Sequence, residues 1–368
     1  MSGKRRRPIG FGEPAPDLKV RSTVKAFSLS TLAGAERSVV FVATLGDPRA
    51  PERLARCRAL WDRFGQVELL FVSADPAEEP PAVLRGPGVD GRIVLDGDGR
   101  LSAGFGIMPP GGDAAVAFRL DRALRVVERR AVERLEQLDD VLAGWRDGAA
   151  GRREPRRLDR HPPVLQLDKV FEQQFAAALV RWHGMAGGVD SGFMVGDGAR
   201  TTGRVDHRVK RRSDALVTDP TLVDQCRKRL VLRLGPAIEA AFQFRATRIE
   251  RYLVARYDSA DRGMFRAHRD NDSGGTAHRR FAVSVNLNDD YEGGCLRFPE
   301  FGDDLYRPDP GSALAFSCSL LHEATPVTTG TRYVFLTFLY GEEDAALLER
   351  NRAFVSDGDG VPPGDGRA

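Results

Sequence analysis

Residues 146–163, reading RDGAAGRREPRRLDRHPP, hold few apolar side chains, and that gap divides the 368-residue chain in two. Glycine, proline and clustered arginine are the composition of an exposed linker, so any core must be built separately on either side of it. With 42% hydrophobic residues and a net charge of only +3, the chain has apolar material for two cores and is not a disordered protein. The expected plan is a basic disordered tail at 1–11, a domain at 12–146, a linker at 147–162, a domain at 163–343 whose barrel begins near 248, and a C-terminal tail at 344–368.

Before the linker, strands and helices alternate. The runs 39–45 (VVFVATL) and 69–73 (LLFVS) are continuous apolar stretches of strand length, as in a sheet covered on both faces. Between them, Leu54, Cys57, Leu60 and Trp61 recur at helical spacing. Residues 114–120 and 124–128 flank Asp121-Arg122-Ala123 as a hairpin, and 133–145 reads as an amphipathic helix. The pattern is α/β. After the linker, 165–183 reads as a helix and 222–242 as one long or two short helices. From 252 onward, apolar strands at 252–257, 280–287, 294–298, 312–316 and 332–340 are separated by Gly, Pro, Asn and Asp turns. Helices followed by short strands of this kind predict an α+β domain with a jelly-roll core.

No run of about 18 apolar residues occurs, which argues against a membrane-spanning helix. The start, MSGKRRRP, is basic but lacks the apolar stretch of a signal peptide. The cysteines Cys57, Cys226, Cys295 and Cys318 are widely spaced with no Cys-x-x-Cys pair, which suits reduced thiols and a cytoplasmic location. A charge of +3 is too small to imply nucleic acid as a partner. The basic clusters Lys4–Arg7, 152–157 and Lys210–Arg212 have acids nearby and read as solvated surface.

Among six histidines, only His268 has a carboxylate two positions later, in His268-Arg269-Asp270. On a strand, residues i and i+2 share a face, so both can reach one ion. His322 lies on a later segment that a jelly roll can bring alongside. Two imidazoles and one carboxylate form the facial triad of non-haem Fe(II) sites. Arg332 follows His322 by ten residues and opens an otherwise apolar strand. A guanidinium there is costly unless it meets an anion, and its fork suits a carboxylate. Glu292-Gly293-Gly294 supplies a turn between the two halves of the triad. His161, His183, His207 and His278 have no partner at ligand spacing and are assigned no metal role.

Residues 163–341 resemble the prolyl 4-hydroxylase-type branch of the 2-oxoglutarate- and Fe(II)-dependent dioxygenases, through Tyr257-x10-His268-Arg-Asp270, Glu292-Gly-Gly-x-Leu296 and His322-x9-Arg332. The resemblance implies that His268, Asp270 and His322 hold Fe(II), that Arg332 grips the distal carboxylate of 2-oxoglutarate, and that Tyr257 lines the cosubstrate pocket. It also implies O2 as oxidant, L-ascorbate as reductant, and succinate and CO2 as products. The substrate would be a peptidyl (prolyl-type), protein or small-molecule C–H group. Relatives often carry tyrosine three residues before the first ligand, where this chain has Phe265, and an arginine and serine before the barrel, where it has Arg212-Ser213, which implies a structural place for part of the Lys210–Arg212 cluster.

Residues 12–146 are similar to peroxiredoxins and related thioredoxin-fold domains, through Gly12-Glu-Pro-Ala-Pro-Asp17, Ser28-Leu-Ser-Thr-Leu-Ala-Gly34 and Phe71-Val-Ser-Ala-Asp75. A peroxidatic cysteine would sit at the start of the first core helix, and 44–51 contains none. Cys57 falls on that helix's apolar side and reads as a core thiol. The expectation is a redoxin fold without peroxidase activity. Two other functions stay in view: a metal- and 2-oxoglutarate-binding sensor or docking protein, and a thiol peroxidase acting through Cys57.

Overall fold

The computed structural model describes residues 7–47, 51–64, 69–78, 81–84, 93–147, 160–196, 201–351 and 366–367. The chain forms two compact units, Met1–Pro155 and Arg156–Ala368. Most of the expected linker, 148–159, lies outside the described residues, as does 1–6 of the expected basic tail. Residues 7–11 do not behave as a tail. The Ile9 N–H donates to the Phe105 carbonyl at 3.1 Å, and the Gly12 N–H donates to that of Val126 at 2.7 Å.

The N-terminal unit contains β1 (Lys19–Ser22), β2 (Ala26–Ser28), β3 (Arg37–Val42), α1 (Pro51–Phe64), β4 (Leu69–Ser73), β5 (Ile93–Leu95), α2 (Arg100–Gly104), β6 (Ala115–Leu120), β7 (Val126–Val132) and α3 (Leu138–Asp147). Its mixed sheet has the order β2-β1-β5-β4-β3-β6-β7. β5, β4 and β3 run parallel, and β6–β7 is the expected hairpin. Alternate side chains face opposite layers. Val40, Val42 and Phe71 pack with Leu54, Trp61 and Leu142 of the flanking helices, while Val39, Phe41 and Val72 pack with Leu101 and Phe105. Apolar residues on both faces explain why the strands read as unbroken apolar runs.

The C-terminal unit opens with β8 (Val164–Leu167), α4 (Gln173–Ala186), β9 (Val189–Asp190), β10 (Phe193–Gly196), β11 (Thr201–Arg204), β12 (Lys210–Arg211) and β13 (Ser213–Leu216). The helix expected from 165 is thus a strand followed by a later helix. Leu165 and Leu167 pair with the edge of the main sheet, and Lys169, at φ 58°, breaks the chain before α4. Next come α5 (Pro220–Arg229) and α6 (Gly235–Phe242), joined through a π-turn at Leu230–Leu234. Pro236 removes a helical donor just after this wider turn.

The remaining strands are β14 (Arg248–Ile249), β15 (Leu253–Asp258), β16 (Met264–His268), β17 (Phe281–Asn286), β18 (Tyr291–Gly293), β19 (Leu296–Arg297), β20 (Leu305–Tyr306), β21 (Ala313–Ser317), β22 (His322–Ala324) and β23 (Val327–Tyr340), with α7 (Glu342–Asn351) after them. β15, β17, β21 and β23 belong to a ten-stranded sheet, and β16, β19, β20 and β22 to a five-stranded one. The chain therefore winds repeatedly between two antiparallel sheets, which is a jelly roll. One face of the larger sheet (Val254, Val283, Phe335) packs on Leu179, Leu230 and Ile238 of the helices. Its other face (Ala255, Tyr257, Val334, Phe338) packs on Leu296, Phe298 and Ala324 of the smaller sheet.

Two boundaries differ from the sequence reading. β23 starts at Val327, so Arg332 lies inside a strand instead of opening one, because β18 pairs its first half and β15 and β17 its second. The expected tail from 344 begins as α7, and Gly366–Arg367 pairs with β14. Residues 352–365 lie outside the described set. Among the described residues, no helix is long and apolar enough to cross a membrane.

Candidate metal centre

β16 and β22 are antiparallel neighbours with His268 directly opposite His322. That register places the two imidazole centroids 4.3 Å apart. Asp270 lies just past the end of β16, where its N–H donates to the Cys318 carbonyl at 2.9 Å and fixes the turn. His268 Nε2 is 3.5 Å from Asp270 Oδ1, and His322 Nε2 is 3.4 Å from Oδ2. One ligand atom from each of the three side chains lies within 4.8 Å of the others.

Backbone carbonyls set the orientation of both rings. His268 Nδ1 lies 2.7 Å from the Arg266 carbonyl and His322 Nδ1 lies 3.0 Å from that of Leu320. A carbonyl only accepts, so Nδ1 carries the proton and each Nε2 lone pair is directed at the shared point, the outer support typical of ligating histidines. Burial drives His322 down to about 4; the charge of Asp270 opposes this and His268 adds to it. Burial opposes ionisation of Asp270, but His322, His268 and Arg279 outweigh it and hold the carboxyl below the usual carboxylate range. At neutral pH the set is at least one neutral imidazole with an ionised carboxylate, the protonation a divalent cation requires. Phe265 stacks on His268 with centroids 3.5 Å apart, covering one face of the ring with an apolar surface.

These groups line a cavity of 1410 Å³ that also contains Tyr257 and Arg332. Tyr257 and Arg332 are opposite one another on β15 and β23, and the guanidinium carbon is 5.4 Å from the phenol ring centre. Arg332 is 4% exposed and its Nε has no hydrogen-bond partner. It makes no ion pair among the described residues. The glycine turn is fitted around this strand. Gly293 and Gly294 have φ of +73° and +57°, and a Cβ at Gly294 would come within 3.0 Å of Arg332 Cδ.

The structure thus brings His268, Asp270, His322, Arg332 and Tyr257 into one cavity. His161, His183 and His207 are engaged elsewhere, beside Pro162, Ser213 and Asp190 respectively. His278 lines the cavity but is paired with Glu250 at 3.0 Å.

Sequence reasoning missed the cavity's other ions. Lys210, read as surface charge, and Arg212, given a structural place only through the resemblance, are buried, with Lys210 Nζ donating to Ser191 Oγ and the Gly192 carbonyl at 2.6 Å each. Arg212 pairs with Asp214 at 2.6 Å. The signal available was alternation: Lys210, Arg212 and Asp214 share one face of an extended segment, and Arg211 points the other way. Glu250, Arg251 and Arg279 also line the cavity.

Cys57 is fully buried in the N-terminal unit, and burial pushes its thiol up to about 12. Near the end of β3, the Leu45 and Gly46 N–H groups donate to the Asp75 carboxylate at 2.8 and 3.1 Å. Donors that could stabilise an anion there are already occupied.

No family model matches the chain. Over 123 residues it is 32% identical to the multifunctional procollagen lysine hydroxylase and glycosyltransferase LH3 of Homo sapiens, and equally to that of Rattus norvegicus. The match covers 32% of this chain and 16% of the human relative, so the chain spans under a fifth of the curated proteins it matches. Among solved structures, a Trichoplax adhaerens prolyl hydroxylase in complex with a hypoxia inducible factor peptide fragment aligns at TM-score 0.38 and 18% identity, covering 50% of this chain and 86% of that one. A Pseudomonas putida prolyl-4-hydroxylase aligns at TM-score 0.36 and 17% identity, over 49% and 92% of the two chains.

Proposed function

We propose that the C-terminal unit is an Fe(II)- and 2-oxoglutarate-dependent dioxygenase that hydroxylates a C–H group of a peptide, protein or small molecule. The observation that carries this reading is the convergence of His268, Asp270 and His322 in a cavity that also holds the unpaired guanidinium of Arg332. The donor set fits Fe(II): two imidazole nitrogens with carbonyl-fixed tautomers and one carboxylate leave half of an octahedral ion's positions open. Local identity to a procollagen lysine hydroxylase supports a hydroxylase.

Bound Fe(II), with 2-oxoglutarate and O2, would supply the oxidising chemistry that releases succinate and CO2, and L-ascorbate would serve as reductant. The chain's own residues bind, orient and exclude water. Asp270 contributes the anionic donor, and the Arg266 and Leu320 carbonyls hold both imidazoles ready to donate from Nε2. Arg332 takes the distal carboxylate of the cosubstrate, with Tyr257 beneath it as a wall and Gly294 leaving room for the arginine stem. Phe265, Leu296, Phe316 and Phe338 line the cavity with apolar surface, which strengthens each polar contact inside it. We read the N-terminal unit as a redoxin-type fold without thiol chemistry, on the strength of its parallel β5-β4-β3 core, the buried Cys57 and the Asp75 carboxylate at the end of β3.

Purified protein given Fe(II), 2-oxoglutarate and ascorbate should release succinate, slowly without substrate. His268→Ala, Asp270→Ala and His322→Ala should each abolish metal binding in a calorimetric titration and succinate release with it. Wild-type protein that binds neither Fe(II) nor 2-oxoglutarate refutes the reading. Tight binding of both, with no succinate under any substrate, would identify a sensor instead.

A further inference from the structure

Among the cationic side chains that line the cavity, Arg204 and Arg269 pair with Asp206 and Glu300 at 3.7 and 2.8 Å. Three more are satisfied from within the protein. Lys210 is held by Ser191 and Gly192, Arg212 by Asp214, and Arg279 by both oxygens of Glu250 at 2.6 and 2.7 Å. Arg332 is accounted for by the proposed cosubstrate. Arg251 has no such explanation. It makes no hydrogen bond or ion pair among the described residues, and its Nε is both shut from solvent and unpartnered. It lies over the Phe338 ring, whose centre is 5.0 Å from the guanidinium carbon, and the charges of Glu250 and Asp214 favour it without bonding to it. Arg279 sits over the same ring at 4.0 Å, so a like charge lies close by. Burial and then the Arg279 charge pull Arg251 down to about 10, which leaves it a cation at neutral pH. Half-buried, with Nε sealed and its terminal nitrogens making no hydrogen bond among the described residues, the guanidinium is free to take an anion that enters the cavity.

That anion is not the cosubstrate held at Arg332. Leu253 lies opposite Leu336 and Tyr257 opposite Arg332, and Arg251 precedes β15, so Arg251 and Arg332 lie toward different ends of the β15–β23 pair. Six residues separate Arg251 from Tyr257, roughly 20 Å of extended chain at the usual strand rise. Each guanidinium lies over a ring at its own end, Arg332 over Tyr257 and Arg251 over Phe338. The Arg251 end adjoins the metal site, since Arg279 Nη1 donates to the Asp270 carbonyl at 3.3 Å.

We propose that Arg251 is the substrate-recognition residue of this cavity and that the substrate is a small carboxylic acid, whose carboxylate is held at Arg251 while its carbon skeleton extends toward His268, Asp270 and His322. The assignment rests on the dioxygenase reading for what is done to that skeleton, but the anion site itself does not. The planar fork offers two parallel N–H donors, a geometry matched to a carboxylate.

The test is a calorimetric titration of the full chain loaded with Mn(II) and saturating 2-oxoglutarate, using hexanoate and benzoate as probes against hexanamide and benzamide. Carboxylates should bind and the isosteric amides should not. Arg251→Gln should weaken carboxylate binding by about 10- to 100-fold, as loss of charge-assisted hydrogen bonds predicts, while leaving the 2-oxoglutarate affinity unchanged. Arg251→Lys should fall between, since it keeps the charge and loses the fork. Because the replaced cation is unpaired, Arg251→Gln should melt no lower than wild type. Should it nevertheless fail to fold, the carboxylate–amide comparison on wild type still decides the matter. No preference for carboxylates, or equal binding by Arg251→Gln, overturns the proposal. So does a parallel loss of 2-oxoglutarate affinity, which would assign Arg251 to the cosubstrate. Carboxylate binding that depends on Arg251 in a protein indifferent to Mn(II) and 2-oxoglutarate would keep the anion site and sink the dioxygenase reading.

Discussion

Replacing Arg332 by alanine separates the cosubstrate half of the site from its metal half. The guanidinium is almost wholly buried, its Nε is unpartnered and no ion pair holds it among the described residues. In the absence of ligand its contribution to the fold is its cation–π contact with Tyr257, about 2 kcal/mol for a desolvated contact. An arriving carboxylate gains up to two charge-assisted N–H···O bonds, at roughly 1.5–3 kcal/mol each before ordering and desolvation are subtracted. The net loss in Arg332→Ala should be about 2–4 kcal/mol, or 30- to 1000-fold in the Kd of 2-oxoglutarate. Titration of Mn(II)-loaded protein with 2-oxoglutarate measures this directly. Metal affinity should be unchanged, because His268, Asp270 and His322 and the carbonyls behind them are untouched. Arg332→Lys should recover part of the affinity without the bidentate geometry. A Kd for Arg332→Ala within about threefold of wild type, under ~0.7 kcal/mol, would show that the cosubstrate is held elsewhere. Equal losses of metal and 2-oxoglutarate would show instead that the arginine is structural.

Gly293→Ala should destabilise the chain by about 1–3 kcal/mol in urea unfolding and weaken 2-oxoglutarate binding as well, since the residue has positive φ; its Cβ would lie 2.2 Å from the Pro326 carbonyl oxygen. Wild-type stability in that variant would refute the close approach of β18 to β23. Acid should remove a further increment of stability through Glu172. Burial opposes its charge, yet hydrogen bonds from Arg233 and Arg229 bring the carboxyl from 4.5 to about 2. A depressed folded-state pKa stabilises the native state above the unfolded value and ceases to do so as pH falls toward the folded one. Urea midpoints should therefore show a loss between pH 4.5 and 2 that is smaller in Glu172→Gln; identical profiles would refute the pairing. Thiol reagents should label Cys295 in the native protein and leave the buried Cys57, Cys226 and Cys318 untouched until unfolding. Peroxide consumption that disappears in Cys57→Ser would overturn that expectation.

What could be read from the sequence follows from which forces are local. The barrel strands were legible because alternation and turn residues are set by neighbours in the chain, as at 280–287, where β17 runs from Phe281 to Asn286. The segment at 165 was misread because Val164–Leu167 becomes a strand only by pairing with β21, a partner nearly 150 residues away. His268, Asp270 and His322 were legible for a chemical reason: few side chains ligate metal, and their spacing survives whatever the loops do. Arg332 stood out as a single charge within an apolar run, although its true place inside β23 depended on pairing from three other strands. Lys210, Arg212 and Arg251 did not stand out, because each lies among other charges and reads locally as surface. Whether a cation is solvated or sealed depends on which sheet closes over it, and no window of sequence contains that sheet. The same argument bears on specificity. Residues that hold a metal and a common cosubstrate are constrained by fixed ligand chemistry and can be recognised as a pattern. Those that choose the substrate are ordinary charges whose distinction is a place in the cavity without a partner. Among the described residues of this cavity, once a cosubstrate is assigned to Arg332, the cation left without a hydrogen bond or ion pair is the half-buried Arg251, so a search for the substrate begins with what its guanidinium can bind.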